Sequence, residues 1–183
     1  MEFRRLHIPD VVLIVPPRFE DKRGWFMESY NAARLAERGI KNEFLQDNQA
    51  FSCNAGTVRG LHFQRPPEAQ AKLVRVLHGA IYDVAVDLRK KSATYGKFAA
   101  AKLSAKGGEQ LFIPTGFAHG YCTLENETEV LYKVDARYAP EAEAGLLWND
   151  PDLGIPWPVD SSAAYLSEKD LKLPRLRDLQ NPF

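Results

Sequence analysis

The stretch Gly56-Thr57-Val58-Arg59-Gly60-Leu61-His62-Phe63-Gln64, with Lys72-Leu73-Val74-Arg75-Val76 close behind it, decides how this chain is read. Both runs are rich in strand-forming residues, yet between them they hold one histidine, two arginines and a lysine. A strand in a folded core keeps at least one face apolar, and charges placed there are paired or put to use. An imidazole among fixed cations can take a proton from carbon and hold the negative charge that results. An enzyme is the first expectation.

Outward from this stretch, short β-like runs recur at residues 11–15, 24–30, 43–48, 57–64, 71–78, 80–88, 97–104, 109–113, 118–124 and 127–135. Turn signals such as Pro66-Pro67, His78-Gly79, Lys106-Gly107-Gly108 and Pro114-Thr115-Gly116 separate them. Many short strands so spaced predict an all-β antiparallel sandwich or barrel and not a βαβ sheet. One helix is expected, with Asn31 as N-cap, Ala32 to Arg38 helical and Gly39 as the stop. From about residue 148 to 183 the chain becomes turn-rich and aromatic, as in Trp148-Asn149-Asp150-Pro151 and Ile155-Pro156-Trp157-Pro158, and reads as an ordered arm. Within it Ser167-Glu168-Lys169-Asp170 has the form of a capping box opening a short helix. No linker divides the chain, so residues 1–183 are expected to form a single domain.

Composition narrows the partners. With 24 Lys and Arg against 24 Asp and Glu, no net field favours nucleic acid or an anionic membrane. An anionic ligand must be caught by local cations. Cys53 and Cys122 are the only cysteines and form no CxxC pair, which fits a cytoplasmic, reducing location. The apolar run Val11-Val12-Leu13-Ile14-Val15 is too short to span a bilayer and follows no signal-peptide pattern. GxGxxG, P-loop and Ser-elbow motifs are all missing, which argues against a Rossmann nicotinamide site, a P-loop NTPase and an α/β hydrolase.

Gly56, five residues, His62, then Gln64 and Glu68 resemble the first cupin motif; Gly108, five residues, Pro114, four residues, His119 resemble the second. Metal-dependent cupins carry two histidines in the first motif, two residues apart. Here the second is Gln64, which leaves at most His62, Glu68 and His119 as ligands. An amide oxygen is a poor transition-metal ligand, so neither metal nor other cofactor is expected.

A fuller resemblance runs from about residue 8 to 175. It rests on Phe19-Glu20-Asp21-Lys22-Arg23-Gly24-Trp25-Phe26-Met27-Glu28, Gln46-Asp47-Asn48, Arg59-Gly60-Leu61-His62-Phe63-Gln64 and Ala71-Lys72-Leu73-Val74-Arg75. It continues through Ile113-Pro114-Thr115-Gly116-Phe117-Ala118-His119-Gly120, Tyr132-Lys133, Trp148-Asn149-Asp150-Pro151 and Leu166-Ser167-Glu168-Lys169-Asp170. In this order the segments resemble the dTDP-4-dehydrorhamnose 3,5-epimerase family, a metal-free branch of the cupin superfamily. The resemblance implies a cupin-type antiparallel β-barrel or jelly roll. It also implies epimerisation of dTDP-4-dehydro-6-deoxy-D-glucose at C3 and C5 to dTDP-4-dehydro-L-rhamnose, through an enolate, in dTDP-L-rhamnose biosynthesis.

Residue by residue, the resemblance makes His62 the base, Asp170 its dyad carboxylate, Lys72 the enolate stabiliser and Tyr132 the proton donor on the other face. It gives the diphosphate to Arg23, Arg59 and His119, the thymine to Tyr138, and further ligand contacts to Phe19, Glu28, Gln46, Asn48, Glu143 and Lys169. It implies a homodimer in which an N-terminal segment adds to the neighbour's sheet, with the stretches at 11–15 and 24–30 compatible with that role. The alternatives are a C3-only or C5-only epimerase of another dTDP-4-keto-sugar, a metal-dependent cupin oxygenase or isomerase, and a non-catalytic sugar or nucleotide binding module.

Two local features stand out. Two-residue alternation puts Arg59 and His62 on opposite faces, unless Gly60 marks a bulge or Arg59 reaches round the barrel mouth. After Gln46-Asp47-Asn48 the chain reads Gln49-Ala50-Phe51-Ser52-Cys53, where the family commonly begins His-Ser, and the loop to Arg59 looks one residue longer. Ligand contacts from Ala50 or Ser52 are therefore not expected to carry over.

Overall fold

A computed structural model describes residues 1–183. The strands are β1 (Glu2–Arg5), β2 (Val12–Val15), β3 (Arg18–Asp21), β4 (Gly24–Met27), β5 (Gln46–Ser52), β6 (Val58–Gln64), β7 (Lys72–His78), β8 (Ala80–Asp87), β9 (Phe98–Ser104), β10 (Gln110–Ile113), β11 (Phe117–Thr123), β12 (Thr128–Val134) and β13 (Glu143–Gly145). One helix, α1 (Ala32–Ala36), follows β4. A six-stranded sheet runs β1-β2-β10-β7-β12-β5 and a five-stranded sheet β13-β6-β11-β8-β9, while β3 and β4 form a separate hairpin. Every paired strand is antiparallel. This is the all-β, jelly-roll-like barrel expected of the chain.

The apolar residues partition by face. Val74, Val76, Ile81, Ala85, Leu111, Phe117 and Val130 pack into one cluster between the sheets. Their neighbours in sequence point outward. Leu73 and Phe112 join Val12 and Ile14 beneath Leu35 of α1 and Ile40. On the other side Leu61, Phe63, Val84, Val86 and Ala118 are covered by Leu146, Leu153 and the carboxyl-terminal arm, which contributes Ile155, Trp157, Leu176 and Phe183. Strands buried on both faces lose visible alternation, which is why Ala80–Asp87 reads as one apolar run. Each fully buried aliphatic side chain contributes about 1.5–3 kcal/mol, so the arm is integral to the sheet it covers.

The structure departs from the sequence reading in particular places. The β1 and β3 strands carry mostly charged, exposed residues, and β13 spans three residues; none has a strand-like hydrophobic pattern. The strand expected at 43–48 lies at Gln46–Ser52, paired with β12 along its whole length. Asn31 caps α1 by accepting from the Arg34 amide, and the helix stops at Ala36. At Ser167–Asp170 only half of a capping box forms: Ser167 Oγ accepts from the Asp170 amide at 3.1 Å. A single 3-10 turn follows at Asp170–Lys172. The β2 strand pairs with β1 and β10 of its own chain, so the 11–15 stretch is not free to add to a neighbour's sheet.

Candidate active site

The two sheets supply opposite walls of one cavity of about 460 Å³. In the six-stranded sheet Asn48 lies directly opposite Tyr132, and Lys72 opposite Val134. Alternation therefore puts Gln46, Asn48, Tyr132 and Lys72 on one face. The Lys72 ammonium sits 5.8 Å from the Tyr132 ring centroid. In the five-stranded sheet His62 pairs with His119, while Arg59 pairs with Tyr121. Three steps along β6 thus match two along β11, and the extra residue is a bulge at Gly60.

That bulge resolves the alternation problem, because it brings Arg59 and His62 to the same cavity. Only glycine allows it. Gly60 has φ +119°, and a Cβ there would meet Gly120 Cα at 2.6 Å and the His119 carbonyl oxygen at 2.7 Å. Arg59 then reaches across to the six-stranded sheet, donating to Ser52 Oγ at 3.2 Å and to the Phe51 carbonyl at 2.9 Å. The altered segment 49–53 therefore anchors Arg59, and Ala50 lines the cavity.

His62 Nε2 lies 2.7 Å from Asp170 Oδ1. The arm brings Asp170 here, and the carboxylate turns to His62 and the Gly60 amide instead of closing a capping box. Burial pushes the Asp170 pKa up, but hydrogen bonds from His62, Gly60 and Ser167 hold it below its ordinary value. An ionised Asp170 fixes the proton of neutral His62 on Nε2 and leaves the Nδ1 lone pair free. Lys72 is buried, and desolvation brings its pKa down to about 8 against the pull of Asp83 and Glu143. Tyr132 is pushed up, chiefly by burial and against Arg59, so its phenol keeps its proton at neutral pH.

A smaller adjoining cavity of about 110 Å³ shares His62, Lys72 and Tyr132 with the first. It also gathers Gln46, Asn48, Tyr138 and Glu143. Glu143 takes an ion pair from Lys169 at 2.7 Å and a hydrogen bond from the Tyr138 hydroxyl at 2.9 Å. Gln46 Nε2 donates to Asn48 at 2.8 Å and its Oε1 accepts from the Tyr138 amide. Distant in sequence, these residues form one polar wall.

The remaining residues of the sequence reading lie as follows. His119 is buried with Nε2 2.5 Å from Asp83. Desolvation lowers its pKa, although Asp83 opposes this. It is a neutral ring held by Asp83, and it lines the larger cavity beside Arg59 and His62. Phe19, Arg23 and Glu28 line neither cavity. Arg23 pairs with Asp21 at 2.6 Å with its side chain 83% exposed, and Glu28 pairs with Arg34 at 3.2 Å. Glu68 is also outside both cavities, and Gln64 spends its amide on the backbone of Glu68, Arg137 and Ala139. No group of three His, Cys, Asp or Glu side chains is placed to hold a metal ion. Asp83, Tyr121 and Tyr165 are at the site without having been singled out. Asp83 alone had a signal, a carboxylate inside the apolar run Ala80-Ile81-Tyr82-Asp83-Val84-Ala85.

A histidine on one sheet, paired with a carboxylate from the arm and facing a tyrosine and a buried lysine on the other sheet inside a jelly-roll barrel, defines a cupin-class enzyme of proton transfer at carbon. The model of the family described as dTDP-4-dehydrorhamnose 3,5-epimerase matches residues 5–178. A protein of that name from Sinorhizobium fredii is 47% identical over 183 residues, covering 100% of this chain and 93% of its own. The solved structure of the Bacillus anthracis enzyme of that name, with TDP and PPi bound, superposes with a TM-score of 0.92 at 49% identity, covering 95% of this chain and 98% of that one. A Legionella pneumophila 3,5-epimerase in complex with dTDP-4-keto-L-rhamnose gives 0.93 at 38% identity, covering 98% and 94%. The chain belongs to the dTDP-4-dehydrorhamnose 3,5-epimerase family.

Proposed function

We propose that this enzyme epimerises dTDP-4-dehydro-6-deoxy-D-glucose at C3 and C5, giving dTDP-4-dehydro-L-rhamnose for dTDP-L-rhamnose synthesis. One observation carries the reading: His62 on the five-stranded sheet and Tyr132 and Lys72 on the six-stranded sheet line a single cavity. A keto-sugar ring held there offers one face to the base and the other to the acid. His62 Nδ1 takes the proton next to the C4 ketone, and the C–H electron pair moves onto the carbonyl oxygen. The Lys72 ammonium faces the enolate oxygen so formed. Tyr132 returns a proton to carbon from the opposite face, and solvent restores both groups for the second centre. Asp170 keeps the His62 tautomer and stabilises its imidazolium, as in other His–carboxylate pairs.

In this reading Arg59 holds diphosphate and Tyr138 stacks on thymine, with Gln46, Asn48, Glu143 and Lys169 completing the nucleotide wall and His119 serving as a neutral contact. Phe19, Arg23 and Glu28 come from a partner subunit. The β3–β4 hairpin leaves Phe19, Trp25 and Phe26 largely exposed; such a patch favours a covering surface, here the site of a second copy in a homodimer. Residues 1–183 act as one domain, in the cytoplasm; no helix is long and apolar enough to cross a membrane. Incubation with the keto-sugar in deuterated water tests the reaction. Deuterium at both C3 and C5 with conversion to the L-lyxo product is expected, and exchange at one carbon only would defeat the double epimerisation.

A further inference from the structure

Asp83 lies mid-strand in β8 and is 0% exposed. One carboxylate oxygen meets His119 Nε2 at 2.5 Å, while the other is buried without a hydrogen-bond partner. The hydroxyl of Tyr121, its register partner on β11, is equally buried and unpartnered. A buried carboxylate left half-satisfied is costly unless opposite charge compensates it. No Lys or Arg pairs with it directly. Lys72 on the facing sheet is a cation within reach of the Asp83 charge, and its only hydrogen bond is to the His62 carbonyl at 3.4 Å.

The other groups facing Lys72 cannot fill that role. Glu143 of β13 is committed to Lys169 and Tyr138. Asp170 is committed to His62 of β6. Arg59 of β6 is a like charge, while His119 and Tyr121 of β11 and Tyr132 of β12 are neutral. Strand β10 carries no ionisable side chain, and Lys102 of β9 is exposed.

We infer that Asp83 is a positioning residue, the buried counter-ion that keeps Lys72 charged within the barrel while holding His119 in one tautomer. The inference rests on the reading of Lys72 as the enolate stabiliser. Lys72 must be protonated to act, so activity falls as pH rises through its pKa. Removing the Asp83 charge favours deprotonation and brings that fall to lower pH.

The test is the pH profile of solvent-deuterium exchange for wild type, Asp83→Asn and Asp83→Glu. The Asn variant should lose its alkaline limb about one pH unit earlier, so that its deficit is about fourfold greater at pH 8 than at pH 6.5. Glu keeps the charge and should restore the wild-type limb even at reduced kcat. Competitive acetylation of Lys72, read by peptide mass spectrometry in wild type and in folded Asp83→Asn, should show the amine becoming reactive at lower pH in the variant, because Asp83 opposes the desolvation that lowers the Lys72 pKa. An Asn deficit equal at every pH, or a Lys72 that titrates identically in wild type and Asp83→Asn, would overturn the inference while leaving the epimerase reading intact. A wild type that exchanges neither carbon would overturn both.

Discussion

Lys72 shows at the scale of one side chain how function opposes stability. Its ordinary pKa of 10.5 is brought down to about 8 by burial, so the folded state disfavours the charged form. The penalty is fully present below about pH 8 and is relieved as pH rises toward 10.5. At about 1.4 kcal/mol per pH unit it amounts to on the order of 3 kcal/mol. Lys72→Met should remove measurable epimerisation, and by urea titration at pH 7 it should gain stability only when combined with Asp83→Asn, since alone it leaves the buried Asp83 charge uncompensated. Tyr132 separates the two halves of the reaction. Tyr132→Phe keeps the ring and removes the proton, so wash-out of substrate hydrogen should persist while inversion falls by two orders of magnitude or more. Equal loss of both would show that Tyr132 does not act after the enolate forms.

Among the elements, β6 carries most of the site through one irregularity. Gly60→Ala forces a side chain into a φ +119° backbone against Gly120 and the His119 carbonyl. It should cost at least about 3 kcal/mol in denaturant unfolding and reduce activity beyond the effect on stability, because Arg59 and His62 share the cavity only through the bulge. A fully active, equally stable variant would contradict that role. The sequence made His62, Lys72 and Tyr132 legible because each is a chemically loaded residue in a strand-like run. Gly60 was legible only as a question, since register depends on how β6 meets β11. Asp83 stood out as a carboxylate in an apolar run, but nothing in the sequence tied it to His119 or Lys72, and β1, β3 and β13 were hidden by their brevity and charge. The link from Asp170 to His62 depends on the path of the arm, which the motifs' order along the chain does not specify.

For the whole molecule, the hairpin poses the main question, because Arg23 stands away from its own chain's cavity. If a partner supplies it, mixing Arg23→Ala and His62→Ala proteins after subunit exchange should recover about a quarter of wild-type activity. Half of the molecules are mixed, and one of the two sites in each is intact. Action within one chain would give no recovery. Sedimentation should show a dimer, and a monomer of full activity would dispose of the shared site. The central claim concerns the cavity between the sheets, and its most direct measurement is the fate of the substrate hydrogens next to the ketone. In deuterated water the wild type should exchange both C3 and C5, and His62→Ala, verified as folded, should exchange neither. Normal exchange by folded His62→Ala would contradict the account.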